Sequence, residues 1–334
     1  MKQKSDFQDP MKRAQKLLNQ KGHKALPLIR KAILEEKVES KEAQEALAYF
    51  ADTWRDTSRA ALLAMVCEAA GGKPELTMQI AVALSLISGG YNVHDDIIDL
   101  SKQKNGKATV FGKFGKNTAL LIGDALILKG LTLLNKSLND SPKEKRLQIL
   151  DIVNRMFFEL GDAEILELQF RGRLDISPDR YMDVLRKKAA DVEAHAWIGA
   201  IIGNASQRQV KAFSSYGRAL GMLIILRDEF VDVLDLEEAI HRYQKEHLPL
   251  PVIFALQNSE AKTCISKLIS KSVTQDAVME IQKITKAARG FIQTQKLMKK
   301  TLKEALASLV NINERGNLEE LATSIASVQT RREG

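Results

Sequence analysis

The segment IAVALSLISGGYNVHDDIID, Ile80 to Asp99, decides how this chain is read: a long apolar run passes without a break into three aspartates. A second segment repeats the design at positions 220–232, where LGMLIILRDEFVD carries an apolar run into Asp228, Glu229 and Asp232. Each reads as a core helix ending in an acidic pentad. The first and fifth pentad residues are four apart and share a helix face, so each helix presents two or three carboxylates in one direction. Such groups repel one another and raise each other's pKa unless a hard cation such as Mg²⁺ sits among their oxygens. The pair of pentads therefore points to one divalent-metal site built by two helices.

The rest of the 334 residues supports an all-helical protein. Only 7 prolines and 18 aromatics (Phe 11, Tyr 5, Trp 2) interrupt stretches rich in Ala, Leu, Ile, Lys, Glu and Gln. No alternating β-branched run is bounded by hairpin turn signals, so strands have little support. Helical periodicity runs over 26–39, 41–52, 59–70, 76–100, 116–134, 141–171, 178–202 and 206–234, followed by several C-terminal helices. Ser141 with Glu144 reads as a capping box, and Ser177-Pro178 as an N-cap with proline at the first helical position. Gly71-Gly72-Lys73 lacks phosphate-loop spacing and reads as a helix C-cap. Gly89-Gly90 marks either a tight helix crossing or room for a ligand tail, and Asp124, inside an apolar stretch, calls for a partner. No repeat or linker divides the series, which predicts one domain over 1–334, a helical bundle around a central apolar cavity, with 1–24 flexible.

Composition also excludes functions. Cys67 and Cys264 are too far apart and too few for a disulfide framework or thiolate metal site, which fits a reducing cytoplasm. Met1 to Lys12 has no apolar leader, and no transmembrane segment is expected, which predicts a soluble protein. The net charge of +8 gathers at 262–300 and at Arg331-Arg332, where it reads as solvated helix surface. Aromatics do not interleave with those lysines and no zinc-finger or helix-turn-helix spacing occurs, so nucleic acid is not an expected partner.

From about Glu45 to Gln257 the chain resembles the trans-isoprenyl diphosphate synthases, the polyprenyl synthetases. His94-Asp95-Asp96-Ile97-Ile98-Asp99, followed by 104–110, is similar to that family's first aspartate-rich motif and the Arg-Arg-Gly-x-Pro stretch behind it. Gly123-Asp124-Ala125-Leu126 resembles the next helix, and 216–232 the second aspartate-rich motif. The resemblance implies a Mg²⁺-dependent prenyltransferase that ionises an allylic prenyl diphosphate and elongates it with isopentenyl diphosphate. Asp95, Asp96 and Asp99 would hold two ions, and Asp228, with Glu229 and Asp232 beside it, a third. Lys104 and Lys187 match the family's arginine and lysine at the diphosphate, and Lys188 replaces a threonine in a place that still reaches the diphosphate. Tyr91, four residues before Asp95, stands where the family sets chain length, which suggests a C15–C20 product; an ordinary core tyrosine is the competing reading. A homodimer is implied by the resemblance alone.

The departures fall on one side of that pattern. Where the family binds isopentenyl diphosphate with Gly-Lys-Arg-x-Arg-Pro, this chain has Arg55-Asp56-Thr57-Ser58-Arg59-Ala60, so only Arg59 survives. Ser88 replaces a histidine and Asn105 the second arginine, Ala163-Glu164 stand for Gly-Gln, and Ile224-Ile225 for Phe-Gln. His247 to Pro251 stands in place of a Gly-Lys-x-Thr-Leu-Pro segment, with Lys245 offering its lysine. Losing two cations and gaining an anion disfavours a second diphosphate. Two alternatives therefore stand beside elongation. One is a terpene synthase-like enzyme, or one prenylating a non-diphosphate acceptor. The other is a non-catalytic regulatory subunit in a heteromer with another synthase.

Overall fold

A computed structural model describes residues 10–104, 106–270 and 273–327. Its helices, in chain order, are α1 (Pro10–Gly22), α2 (Ala25–Leu34), α3 (Lys41–Thr53), α4 (Ser58–Ala69), α5 (Met78–Ile98), α6 (Val110–Ser137), α7 (Lys143–Phe170) and α8 (Pro178–Lys188). They continue as α9 (Ala190–Ile202), α10 (Gln207–Asp232), α11 (Leu236–Lys245), α12 (Leu250–Ala255), α13 (Ser259–Ile269), α14 (Gln275–Ala287), α15 (Gly290–Ser308) and α16 (Gly316–Ala326). The all-α expectation holds, with one small exception. A hairpin of β1 (Gln103–Lys104) and β2 (Lys107–Ala108) follows α5, in antiparallel register with Gln103 opposite Ala108.

Helix α5 is buried on every side from Ile80 to Gly90, as its continuous apolar run requires. It packs chiefly on α6, with α2 and α4 behind it, while α10 packs on α9 and α15. The glycine pair marks a tight crossing. A Cβ on Gly90 would lie 2.5 Å from the Gly123 carbonyl of α6, and one on Gly89 would lie 2.6 Å from the Phe50 ring. Along the same seam a Cβ on Gly130 would meet the Ala83 carbonyl at 2.7 Å, and one on Gly123 the His94 ring at 2.4 Å. Asp124 is not buried; its exposed carboxylate lies 3.3 Å from His94.

Several local expectations are revised. Ser177 caps α8 by accepting from the Arg180 amide, as expected, and Gly71, at φ 90°, follows the end of α4. Ser141 caps nothing: α7 starts after Pro142, with no side-chain cap. A capping box does form at Ser206 and Gln209, opening α10. The predicted helix over 178–202 is two helices, broken at Ala189, and α6 begins six residues earlier than expected, with a kink at Gly115 (φ 80°). Of the segment expected to be flexible, 10–22 is helix α1, packed on α4 and α16. Residues 1–9, Asn105 and Arg331-Arg332 lie outside the described residues. Both cysteines are free, as expected. Two helical stretches, Pro74–Ile98 and Val110–Ser137, reach the length and apolar composition of a membrane span; the apolar window of the first is 72% buried in the fold and that of the second 33%, and neither is a clear membrane helix.

Candidate active site

The C-terminus of α5 is shaped by a left-handed residue. Leu100 has φ 58°, the Ser101 amide donates to the Asp96 carbonyl at 2.9 Å, and Leu100 N–H donates to Ile97 O at 3.4 Å. This is the helix-ending geometry usually given to glycine, and in a leucine it costs about 1–2 kcal/mol. The chain then turns back as the β1–β2 hairpin, held by Thr109 Oγ1 donating to Ser101 O (2.8 Å) and Tyr49 Oη donating to Ala108 O (2.6 Å). The hairpin brings Lys104 Nζ to 2.7 Å from Asp96 and 3.4 Å from Asp95. Arg171, just past α7, donates to the Ile98 carbonyl (2.8 Å) and to Asp99 (3.2 Å). Burial raises the pKa of Asp96, and burial followed by the charge of Asp95 raises that of Asp99. Lys104 is held in its charged form, because Asp95 and Asp96 outweigh its own desolvation.

On α10, Asp228 and Asp232 are four residues apart and share a face, whereas Glu229 is turned about 100° away. The consequence is a correction to the expected ligand set. Glu229 is taken up in the core: its Oε1 accepts from Tyr181 Oη (2.9 Å) and Arg242 Nη2 (2.8 Å), and its Oε2 from the Leu250 amide (2.6 Å). Asp228 lies 2.9 Å from Arg227, and Asp232 lies 2.9 Å from Arg242. Burial raises Asp228 and pushes Asp232 up to about 7. Arg242 also reaches His247 Nε2 (2.9 Å), which therefore accepts and is neutral, burial holding its pKa well below the ordinary value.

The two lysines ending α8 separate. Lys187, expected at the diphosphate, is on the surface with Asp162 at 2.6 Å. Lys188 is turned inward, 2.6 Å from Glu167 and 3.2 Å from Glu164 of α7. Burial works against its charge, but Glu167, Glu164 and Asp95 outweigh it. Glu167 in turn lies 3.7 Å from His247. One polar chain thus runs from the first acidic motif through Lys188, Glu167, His247 and Arg242 to Asp232.

Beside that chain lies a cavity of about 160 Å³ between α4, α5, α7, α8, α9 and α10. Its apolar wall is Ile87, Met156, Phe157, Leu160 and Ile225; Asp95, Asn92, Lys188, Glu164 and Tyr91 form its polar end, and Arg59, Ser88 and Asp191 its far side. Tyr91 meets Phe157 edge-on, with ring centroids 6.4 Å apart. Arg59 is not a free cation: it pairs with Asp56 and, at 2.7 Å, with Asp191. Arg55 lies apart, its Nη1 donating to the Trp54 carbonyl at 2.7 Å.

Asp95, Asp96 and Asp99 offer hard oxygen donors at one end of the cavity, a chemistry that suits Mg²⁺. Among the described residues no three acidic, histidine or cysteine side chains converge closely enough to hold an ion as they stand. Lys104 occupies the space between Asp95 and Asp96, so a metal there would displace its ammonium. Sequence reading missed Arg171, Arg242, His247, Glu167 and Asp191. Glu164 was singled out in the sequence only as part of the Ala163-Glu164 pair that stands for a Gly-Gln.

Comparison with known proteins agrees with this geometry. The polyprenyl synthetase family model matches residues 40–287. The geranylgeranyl diphosphate synthase of Sulfolobus acidocaldarius is 26% identical over 269 residues, 78% of this chain and 81% of that enzyme. That of Methanosarcina mazei is 29% identical over 208 residues, 62% of this chain and 64% of its own. The crystal structure of geranylgeranyl pyrophosphate synthetase from Pyrococcus horikoshii has the same fold, with a TM-score of 0.84 and 26% identity over 94% of this chain and 99% of that one. With two aspartate-bearing helices, a cavity between them and a family match over most of its length, this chain belongs to the polyprenyl synthetase family and is a prenyltransferase.

Proposed function

We propose that the protein ionises an allylic prenyl diphosphate and makes a short-chain product in the C15–C20 range, with Mg²⁺ held by Asp95, Asp96 and Asp99 on one side and by Asp228 and Asp232 on the other. The names of the relatives support this range, and so does the Tyr91–Phe157 contact beside the cavity. The observation that carries the reading is the polar end of the cavity, where Asp95, Lys188 and Asn92 adjoin an apolar wall. Bound Mg²⁺ would neutralise the charge that develops on the departing diphosphate. Three ions fit the division of carboxylates between α5 and α10. Lys188, Arg171 and the displaced Lys104 supply positive charge to the leaving group; Ile87, Met156, Phe157, Leu160 and Ile225 line the hydrocarbon chain and shield the allylic cation from bulk water. Glu229 and Lys187 drop out of the machinery, the first as a core anchor and the second as a surface residue.

Elongation with isopentenyl diphosphate is supported by the relatives' names as geranylgeranyl diphosphate synthases. Transfer to another acceptor is favoured by a specific observation, the pairing of Arg59 with two carboxylates. A homodimer is supported by the exposed leucines 121 and 128 of α6, each 67% accessible and one heptad apart. The deciding experiment incubates the purified chain with Mg²⁺ and geranyl, farnesyl or geranylgeranyl diphosphate, with and without isopentenyl diphosphate, and identifies the products. Mg²⁺-dependent release of diphosphate, lost on chelation and in Asp95→Ala, is expected. Inactivity alone, with altered output when mixed with a second synthase, would replace this reading by that of a regulatory subunit.

A further inference from the structure

The cavity has a second polar wall that the metal and diphosphate do not use. It is built by Arg59 of α4, Ser88 of α5 and Asp191 of α9, and Glu164 of α7 faces the same cavity from its polar end. Arg59 Nε donates to Asp191 Oδ2 at 2.7 Å and its other side is held by Asp56; Ser88 Oγ donates to Asp191 Oδ1 at 3.2 Å. Both cations lining the cavity, Arg59 and Lys188, therefore already carry two carboxylates each. His195 adds no charge, because burial lowers its pKa. Arg59 with Asp56 and Asp191 makes this wall net negative, so a diphosphate brought to it would meet repulsion.

Two buried atoms of the same cavity lack hydrogen-bond partners, Glu164 Oε1 and Tyr91 Oη. Glu164 is 95% buried, and its Oε1 lies near Lys188 without hydrogen-bond geometry. A buried Tyr91 hydroxyl with no partner, and a Glu164 oxygen with only its ion pair to Lys188, leave hydrogen-bonding capacity unused, and this marks where a polar group of a ligand belongs.

We propose that this wall takes an uncharged or cationic acceptor carrying an O–H or N–H group, and not a second diphosphate, with Glu164 receiving the acceptor's proton. The inference rests on the allylic-diphosphate reading above. In the step, the allylic C–O bond breaks and its electron pair leaves with the diphosphate. A lone pair of the acceptor forms the new bond at the allylic carbon, and the proton it sheds passes to Glu164 Oε1. Water is the smallest acceptor of this class, so in its presence alone the product is the prenyl alcohol.

The test uses the full chain with Mg²⁺ and farnesyl thiolodiphosphate, which binds without ionising. Once that analogue saturates the protein, isopentenyl diphosphate is titrated in by calorimetry to about 1 mM. No saturable binding is expected. Asp56→Asn with Asp191→Asn frees the Arg59 guanidinium and should create diphosphate binding at least about tenfold tighter than in the parent. Should that double variant fail to fold, the parent's own titration decides. With geranylgeranyl diphosphate and Mg²⁺ the parent should yield the alcohol. Glu164→Gln should slow this roughly a hundredfold without changing affinity for the thiolo analogue. Saturable isopentenyl diphosphate binding by the parent, a C25 diphosphate product, or a hydrocarbon as sole product overturns the proposal. Failure of the thiolo analogue to bind with Mg²⁺ instead sinks the allylic reading, and does so before any isopentenyl diphosphate is added.

Discussion

Lys188→Met separates what Lys188 does for the fold from what it does for the reaction. The ammonium lies 2.6 Å from Glu167 and 3.2 Å from Glu164, and both carboxylates are buried. Removing one partner of a buried pair costs about 3–5 kcal/mol, because the other charge is left stranded. With an unfolding entropy of about 2.1 cal/mol/K per residue over 334 residues, or about 0.7 kcal/mol/K, the expected fall in Tm is about 4–7 °C. The loss should depend on pH. Burial pushes Glu164 up to about 7, above its unfolded value, so its protonated form is favoured in the fold and folding is penalised as pH rises through 7. At pH 5 Glu164 is already largely neutral and strands no charge, so the gap between parent and variant should be narrower there than at pH 8. Adding Glu167→Gln removes a second stranded charge and should recover part of the stability. It should not recover catalysis: a charged donor to the diphosphate is worth about 1.5–3 kcal/mol, or roughly ten- to a hundredfold in kcat/KM. Differential scanning fluorimetry at the two pH values, with steady-state rates, reads both effects. A Tm gap independent of pH, or activity returning together with stability, would refute the dual role.

Lys187→Ala should leave kcat/KM within about twofold of the parent, since its ammonium pairs with Asp162 on the surface; a loss comparable with that of Lys188→Met would restore it to the site. Gly90→Ala places a methyl 2.5 Å from the Gly123 carbonyl, and the overpacking should cost about 1–3 kcal/mol in chemical denaturation despite the better helix propensity of alanine. Tyr91→Ala opens the cavity beside Phe157 and should shift the allylic diphosphates accepted or made toward longer chains by chromatography; an unchanged distribution would make Tyr91 an ordinary core residue. Leu121→Asp with Leu128→Asp should reduce a dimer to the 37.2 kDa chain in light scattering, and a dimer that persists would place the interface elsewhere.

The helices that carry the aspartates are legible in the sequence because a run as apolar as Ile80–Gly90 has to be buried, and a helix buried on all sides needs no partner to be recognised. The α8–α9 boundary is not legible. No glycine or proline marks Ala189, and the sequence alone placed both Lys187 and Lys188 at the diphosphate, whereas only Lys188 turns inward. Glu229 was misassigned for a related reason: clustering along the chain does not separate residues that a helix turns about 100° apart. Arg171 and Asp191 escape because their partners are distant in sequence; Arg171 and Asp99 are 72 residues apart, Arg59 and Asp191 132. Charge pairing across a bundle leaves no local pattern. The loss of the acceptor-side cations, by contrast, was visible in Asp56 and Ser88; only their linkage through Asp191 required the structure.

The glycine seam between α5 and α6 works as a detent. Gly90 lies against Gly123, and Gly130 against Ala83 and Ile87, so the two antiparallel helices can close at one axial setting alone. A slip of one turn would shift Asp95 and Asp96 by about 5.4 Å along the axis and carry them past Lys104 and Lys188. The height of the carboxylates above the cavity is thus indexed by residues that touch neither metal nor substrate. Variation in the seam would be felt first as altered spacing between the charged end and the hydrocarbon wall, before the fold itself gave way.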